Sequence, residues 1–287
     1  MIKNIAYFPA QCALNSGPVM DSVLSYLRRR GIVTEENNWD SDAALIWSVL
    51  WHGRMADNEQ VYNHYRQQGK PVVIIDVGSL IRGTTWKLAV NNINARGFYG
   101  HLRNLDWDRP KKLDIMQKIN FATDPCFLIA AQHNRSLQVA GTNIEEWIAQ
   151  QVGIIRHLSD RPIKIRPHPR CYFSLGNLGP GVTIQQPQRL NNTYDSFDMS
   201  FDCHALVNYN SGPSIQAAIA GVRLLTDESS LAHPMSITWD KIEQPYLINR
   251  ESWLTEICHT EYTLEELAQG IWLDRIAPAL TQSTVAA

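Results

Sequence analysis

Short, wholly apolar runs alternate with segments of helical period almost from one end of this 287-residue chain to the other. No other feature constrains the fold as much. A strand that is apolar at consecutive positions has to be covered on both faces, as in a parallel sheet flanked by helices. Parallel neighbours in turn need a crossover long enough to hold a helix. The chain therefore reads as α/β, with two Rossmann-like domains facing a cleft.

In the first half, residues 2–8 read as a strand, and the Asn15-Ser16-Gly17-Pro18 turn opens a helix over 19–30. A second strand is expected over 43–50, then a helix over 58–68 ended by Gly69-Lys70-Pro71, and a buried strand over 72–75. The stretch 78–110 reads as loop-rich. The second half restarts with a strand at 126–130 and a helix at 143–157. Strands at 162–165 and 205–207 follow, then a helix at 214–220 that stops at Gly221. Helices are expected at 251–259 and 263–273, the latter capped by Thr263, and residues after Pro278 are expected to fray. Charge and a Pro-containing approach interrupt the pattern near 111–123. The expected domains are therefore 1–118 and 119–287, with the terminal helices in the second.

A formal net charge of −2 excludes a global basic field, and with it tight non-specific binding to DNA, but not a local basic face. The five cysteines, at 12, 126, 171, 203 and 258, are odd in number and lack C-x-x-C spacing. A disulfide framework or zinc site is disfavoured, and a reducing compartment is the simple reading. The N-terminus turns polar too quickly for a signal peptide, and no run reaches the roughly 18 apolar residues of a membrane span. The expectation is a soluble cytoplasmic protein without a membrane partner.

Two segments carry the strongest chemical signal: Arg166-Pro167-His168-Pro169-Arg170 and Asn208-Tyr209-Asn210-Ser211-Gly212-Pro213-Ser214. Each follows a buried strand, and the second opens a helix. Free N–H groups at a helix start favour anionic oxygens, and guanidinium forks neutralise them. Arg166, His168 and Arg170 are therefore candidates for a cationic lip around a diphosphate, with Ser211, Gly212 and Ser214 at the helix start. The bland alternatives are a rigid surface turn and ordinary helix capping. Gln132, His133, Asn134 and Arg135 follow another strand, and Arg135 has the reach to meet a phosphate. A polar junction loop explains them equally well.

In the first half, Asp76 closes the strongest strand and is the candidate general base for deprotonating an acceptor hydroxyl. Its alternative is a turn cap, and Asp21 and His52 are rival bases. His52 and Arg54 end another strand and are candidates for lining the acceptor pocket, as is Trp86. There is no G-x-G-x-x-G after the first strand, no G-x-x-x-x-G-K-[ST] and no D-x-D. Dinucleotide and P-loop readings lose support, and the diphosphate is expected to meet Arg and helix ends in place of a metal ion.

The strand ending in Arg166-Pro167-His168-Pro169, then the strand ending in Asn210-Ser211-Gly212-Pro213-Ser214 before a helix and Gly221-Val222-Arg223-Leu224-Leu225, resembles the GT-B class of glycosyltransferases. Within it the chain is similar to capsule-polysaccharide transferases and phage-encoded, DNA-modifying glycosyltransferases. Residues 71–82 resemble the Glu-Asp-Gly-Phe-Leu-Arg region of the capsule enzymes, and residues 86–94 and 250–272 look more like the phage proteins. The resemblance implies a nucleotide-sugar co-substrate, such as a UDP-sugar, held in the second domain by His168, Ser211 and Ser214, with Asp76 facing the acceptor. Many GT-B enzymes carry a Glu in the helix after the Ser-rich turn to hold the ribose, and here the nearest residue is Gln216.

The expected activity is nucleotide-sugar-dependent glycosyl transfer without a metal. The acceptor read first is a hydroxylated pyrimidine, such as a 5-hydroxymethyl base, in double-stranded phage DNA in a host cytoplasm. Arg28, Arg29, Arg30, Arg103, Arg109, Lys111 and Lys112 are candidates for tracking its phosphates, or else a solvated charged face. A surface or capsule polysaccharide is the second acceptor. A non-catalytic nucleotide-sugar-binding module and an epimerase using the same donor are the other readings.

Overall fold

The computed structural model describes residues 2–103, 105–120, 122–139, 141–190, 197–244 and 248–281. They form two compact units, Met1–Asp106 together with Glu256–Ala287, and Trp107–Thr255.

The first unit opens with β1 (Asn4–Tyr7), α1 (Gly17–Arg29), β2 (Val33–Glu36), β3 (Ala43–Trp47), α2 (Asn58–Gln67), β4 (Val72–Val77) and β5 (Thr85–Val90). In α1, Val19, Met20, Val23, Leu24 and Leu27 fall on one face at three- and four-residue spacing, and all are buried. Every residue of β3 is buried, as its unbroken apolar run requires. β1 pairs in parallel with β2 and β3, and β3 with β4. β5 runs antiparallel to β4 inside the stretch that reads as loop-rich. Lys87 interrupts its apolar run, which hides the strand from a search for continuous hydrophobicity.

The second unit contains α3 (Arg109–Lys112), β6 (Phe127–Ala130), α4 (Ile144–Leu158), β7 (Ile163–Arg166), β8 (Val182–Ile184), β9 (Ala205–Asn208), α5 (Gly212–Ala220) and β10 (Leu224–Thr226). All its strands are parallel, in the order β10-β9-β6-β7-β8. Asn143 caps α4 by accepting from the backbone N–H groups of Glu145 and Glu146. The helix then turns Ile144, Ile148, Val152 and Ile155 into the core against β6 and β7.

The chain ends with α6 (Glu251–Cys258), β11 (Glu261–Thr263), α7 (Leu264–Gln269) and α8 (Ile271–Thr281). Here the structure differs from the expected domain 119–287. β11 pairs antiparallel with β5, so the first sheet runs β2-β1-β3-β4-β5-β11. Tyr262, Leu267, Trp272, Leu273, Ile276 and Leu280 join the core formed by α1, β1 and β3. Burying each large apolar side chain is worth about 1.5–3 kcal/mol, which binds the terminal segment to the first unit.

The expected helix over 263–273 is two helices, parted at Gly270 with φ 79°. A Cβ there would lie 1.8 Å from Cζ of Tyr26, so only glycine lets α7 pack on α1. Thr263 caps α7 in a capping box with Glu266. α8 continues across Pro278 to Thr281. The expected fraying beyond that point concerns residues outside those described.

Candidate functional site

In the second unit the strand order reverses between β6 and β9, since the chain goes from β6 to β7 and β8 on one side and later to β9 and β10 on the other. Parallel α/β sheets bind ligands at the carboxyl ends of their strands at such a reversal. Three candidate loops leave the sheet at that edge: 131–135 after β6, 167–170 after β7 and 209–211 after β9.

The first two loops meet through a pair of histidines. The ring centroids of His133 and His168 lie 5.1 Å apart at 79°. Both rings are held in the same way. Nδ1 of His133 accepts from the N–H of Arg135 at 3.0 Å, and Nδ1 of His168 accepts from the N–H of Arg170 at 3.2 Å. With Nδ1 acting as acceptor, each neutral ring carries its hydrogen on Nε2. Two His-x-Arg turns thus stand on adjacent strands, with Nε2 of His133 buried. His133 is buried, His168 and Arg170 are half-buried, and Arg135 is exposed.

An amide and hydroxyl network fixes the loop after β9. Asn208 donates to the Ala130 carbonyl and to Ser211 Oγ, and its Oδ1 accepts from the Ser211 N–H. Gln132 Oε1 accepts from the Asn210 N–H, and Gln132 Nε2 donates to Gln138 Oε1. Asn210 Nδ2 donates to the Gln138 carbonyl and to Ser229 Oγ. Among the described residues Asn210 Oδ1 is buried without a hydrogen-bond partner, which costs about 1–3 kcal/mol.

Other expected donor-site residues are engaged within the fold. Ser214 is fully buried, and its hydroxyl donates to the Ser211 carbonyl at 2.7 Å and lies 3.1 Å from Ser230 Oγ. Arg166 donates to Gln185 Oε1 and to the Ser200 carbonyl, with its guanidinium 5.6 Å from the centre of the Phe201 ring. Gly212 and Gln216 are half-buried on α5.

The first unit carries the acidic candidate. Ser48 follows β3 at φ 67°, a left-handed conformation costing a non-glycine residue about 1–3 kcal/mol. From there its Oγ donates to Asp76 Oδ2 at 3.1 Å, and the Val77 N–H donates to Asp76 Oδ1 at 2.7 Å. Burial pushes the Asp76 carboxyl above its ordinary range, opposed by the Val77 N–H, Lys87, Ser48 and Arg82. A carboxylate raised in this way is a stronger base at neutral pH.

The remaining first-unit candidates scatter. His52 is exposed, and Arg54 donates from Nε to the Cys12 carbonyl, tying the loop after β3 to the loop after β1. The strand order reverses between these two strands. Asp21 is exposed on α1. Trp86 pairs in register with Val77 and Tyr262, so it faces away from Asp76 and packs against the core. The structure does not bring it to the carboxylate. Ser48, Lys87 and Glu261 were missed in the sequence. A lysine inside an otherwise apolar strand was the one available signal. Among the described residues, no group of three or more His, Cys, Asp or Glu is placed to hold a metal ion, and no helix is long and apolar enough to cross a membrane.

No protein family matches the chain, and no curated protein matches it. Solved structures do. The β-Kdo 2,4 transferase of Thermosulfurimonas dismutans KpsC is 8% identical, with 95% of this chain and 98% of that one covered at a TM-score of 0.56. The β-Kdo 2,7 transferase of the same KpsC is 12% identical, with 96% and 99% covered at a TM-score of 0.54. Identities this low speak for the fold alone. The chain has the α/β fold of the GT-B glycosyltransferases, with two Rossmann-like domains.

Proposed function

We propose that this protein is a nucleotide-sugar-dependent glycosyltransferase with a glycan acceptor. The observation that carries the reading is the pairing of His133 and His168 across the loops after β6 and β7, beside the strand-order reversal of the second unit, each held by an Arg backbone N–H. Donors of this kind suit the diphosphate of a nucleotide sugar such as a UDP-sugar. Asp76 takes the proton of the acceptor hydroxyl as its oxygen attacks the anomeric carbon. The bond from that carbon to the diphosphate oxygen breaks, and the nucleoside diphosphate leaves with the electron pair. His168, Arg135 and Arg170 stabilise the charge it gains, with His133 packed behind His168, and this is the point at which fixed donors contribute most. Ser211 and Gly212 supply the helix start.

A glycan is placed ahead of DNA because the segments that suggested DNA have structural roles. Trp253 is buried and donates to the Leu231 carbonyl, while Thr263 and Glu266 form the capping box. Arg29 donates to the Ala268 carbonyl, Arg28 to Thr34, and Arg109 is buried. The two similar structures named above are β-Kdo transferases.

A thermal-shift panel of nucleotide sugars and nucleoside diphosphates, on wild type and His168→Ala, tests the donor site. A ligand at 100 times its Kd stabilises the native state by about 2.7 kcal/mol. One nucleotide family is expected to raise the wild-type midpoint and to lose that effect in the variant. No shift with any nucleotide would overturn the reading and leave a fold without this chemistry. Duplex DNA binding that weakens steeply with salt would restore DNA as the acceptor.

A further inference from the structure

Asp76 sits in a row of charges that crosses three strands. In the register of the first sheet, Asp76 on β4 is directly opposite Lys87 on β5, and Lys87 is directly opposite Glu261 on β11. Residues opposite one another in a ladder share a face, and neighbouring strands lie about 4.8 Å apart. Lys87 therefore lies between the two carboxylates on one face of the sheet. It is 5% exposed and Glu261 is fully buried.

Glu261 is bound tightly to the loop that follows Asp76. Its Oε1 accepts from the N–H of Ser79 at 2.6 Å. Its Oε2 accepts from the N–H of Leu80 at 3.0 Å and from Thr85 Oγ1 at 2.7 Å. Lys87 Nζ donates to Ser79 Oγ in the same loop. Gly78 makes the approach possible, because a Cβ there would lie 2.0 Å from the Thr85 carbonyl oxygen and 2.6 Å from Glu261 Oε2.

We propose that Glu261 and Lys87 are positioning residues for Asp76: Glu261 clamps the loop that follows it, and Lys87 is the counter-charge shared by both carboxylates. The proposal rests on the reading of Asp76 as the base. A buried carboxylate is costly without partners, and three hydrogen bonds together with Lys87 meet that need at Glu261. The same lysine opposes the effect of burial at Asp76 and holds that carboxylate in its ionised, proton-accepting form over a wider pH range. Around Asp76 stand Ser48 from the end of β3, Arg82 from the following loop and Lys87 from β5. Glu261 on β11 and the buried Tyr99, whose phenol burial, Glu261 and Asp76 hold well above its ordinary value, complete the charged surroundings.

The test is carboxyl NMR of the full chain labelled at aspartate, with the Asp76 signal identified by its loss in Asp76→Asn. Lys87→Met is expected to raise the Asp76 midpoint by about one pH unit or more, the usual effect of losing a neighbouring opposite charge, and Lys87→Arg to restore it. Glu261→Gln replaces an acceptor with an amide donor that faces N–H groups. It is expected to speed amide exchange at Ser79 and Leu80 while Val73, Ile74 and Ile75 stay protected. Should that variant not fold, Thr85→Val, which removes one of the three hydrogen bonds, is read in the same way. An unmoved midpoint in Lys87→Met, or unchanged protection of Ser79 and Leu80, overturns the proposal. The base reading fails separately, if Asp76→Asn transfers sugar as fast as wild type.

Discussion

The two units place chemistry at the carboxyl edge of a sheet by opposite routes. In the second unit the groups come from the loops that directly follow β6, β7 and β9, and each histidine is fixed by the backbone two residues on. In the first unit the surroundings of Asp76 come from β3, β4, β5 and a strand about 180 residues further along the chain. Local turns set the first arrangement, whereas sheet pairing sets the second. Variants in the second unit should therefore act on donor binding one loop at a time, and variants in the first on turnover and folding together.

The largest expected effect is at Asp76. Asp76→Asn removes the proton acceptor and should lower transfer by about 100- to 10,000-fold, with the donor-induced thermal shift retained, read by single-turnover kinetics beside the shift assay. Next is Gly78→Ala, which forces a Cβ onto the Thr85 carbonyl oxygen. A loss of about 3 kcal/mol in denaturant unfolding is expected, well beyond the typical surface substitution. A loss within 0.5 kcal/mol or so would show that the β4–β5 loop tolerates rearrangement and would weaken the contrast between the units.

Smaller effects sharpen the other side. His168→Ala should weaken the donor by about 1–3 kcal/mol, as for a hydrogen bond to a charged group, and His133→Ala should weaken it less, through the loss of its packing on His168. Their double-mutant cycle should show coupling of about 0.5–3 kcal/mol, as for residues in contact. Simple additivity would mean that the two turns hold different parts of the ligand.

The pH dependence separates the units as well. Burial raises the Asp76 carboxyl, and the base must be ionised to work. Activity should therefore fall as pH drops through that raised value, at a higher pH than for a solvated Asp near about 3.9. Lys87→Met should move this acid limb further up. The smallest effect is chemical. Burial pushes the Cys126 thiol up to about 12 and that of Cys203 higher still. Iodoacetamide at neutral pH should therefore spare both until the second unit unfolds, as mass spectrometry of the alkylated chain would show.

Much of the fold was legible in the sequence because burial leaves a local trace. The five buried residues of α1, Val19, Met20, Val23, Leu24 and Leu27, and the unbroken run of β3 show it plainly. The place of the second-unit candidate loops was legible for the same reason, since residues 166–170 and 208–214 each lie at the end of a recognisable strand. Their individual roles were not legible. Nothing in Ser214 or Arg166 reveals that their polar atoms meet Ser230 and Gln185. Trp86 likewise lies near Asp76 in the sheet but on its opposite face, which only the register of β4 and β5 reveals.

The sequence by itself determined the alternation of strands and helices, the parallel sheet of the second unit and the loops at its carboxyl edge. These depend on periodicity and turn chemistry within some ten residues. The tertiary structure decided that β11 returns to the first sheet, that Lys87 stands between Asp76 and Glu261, and that Glu261 holds the loop after β4. Pairing between segments so far apart depends on which surfaces are complementary once each has formed, and no local pattern encodes that choice.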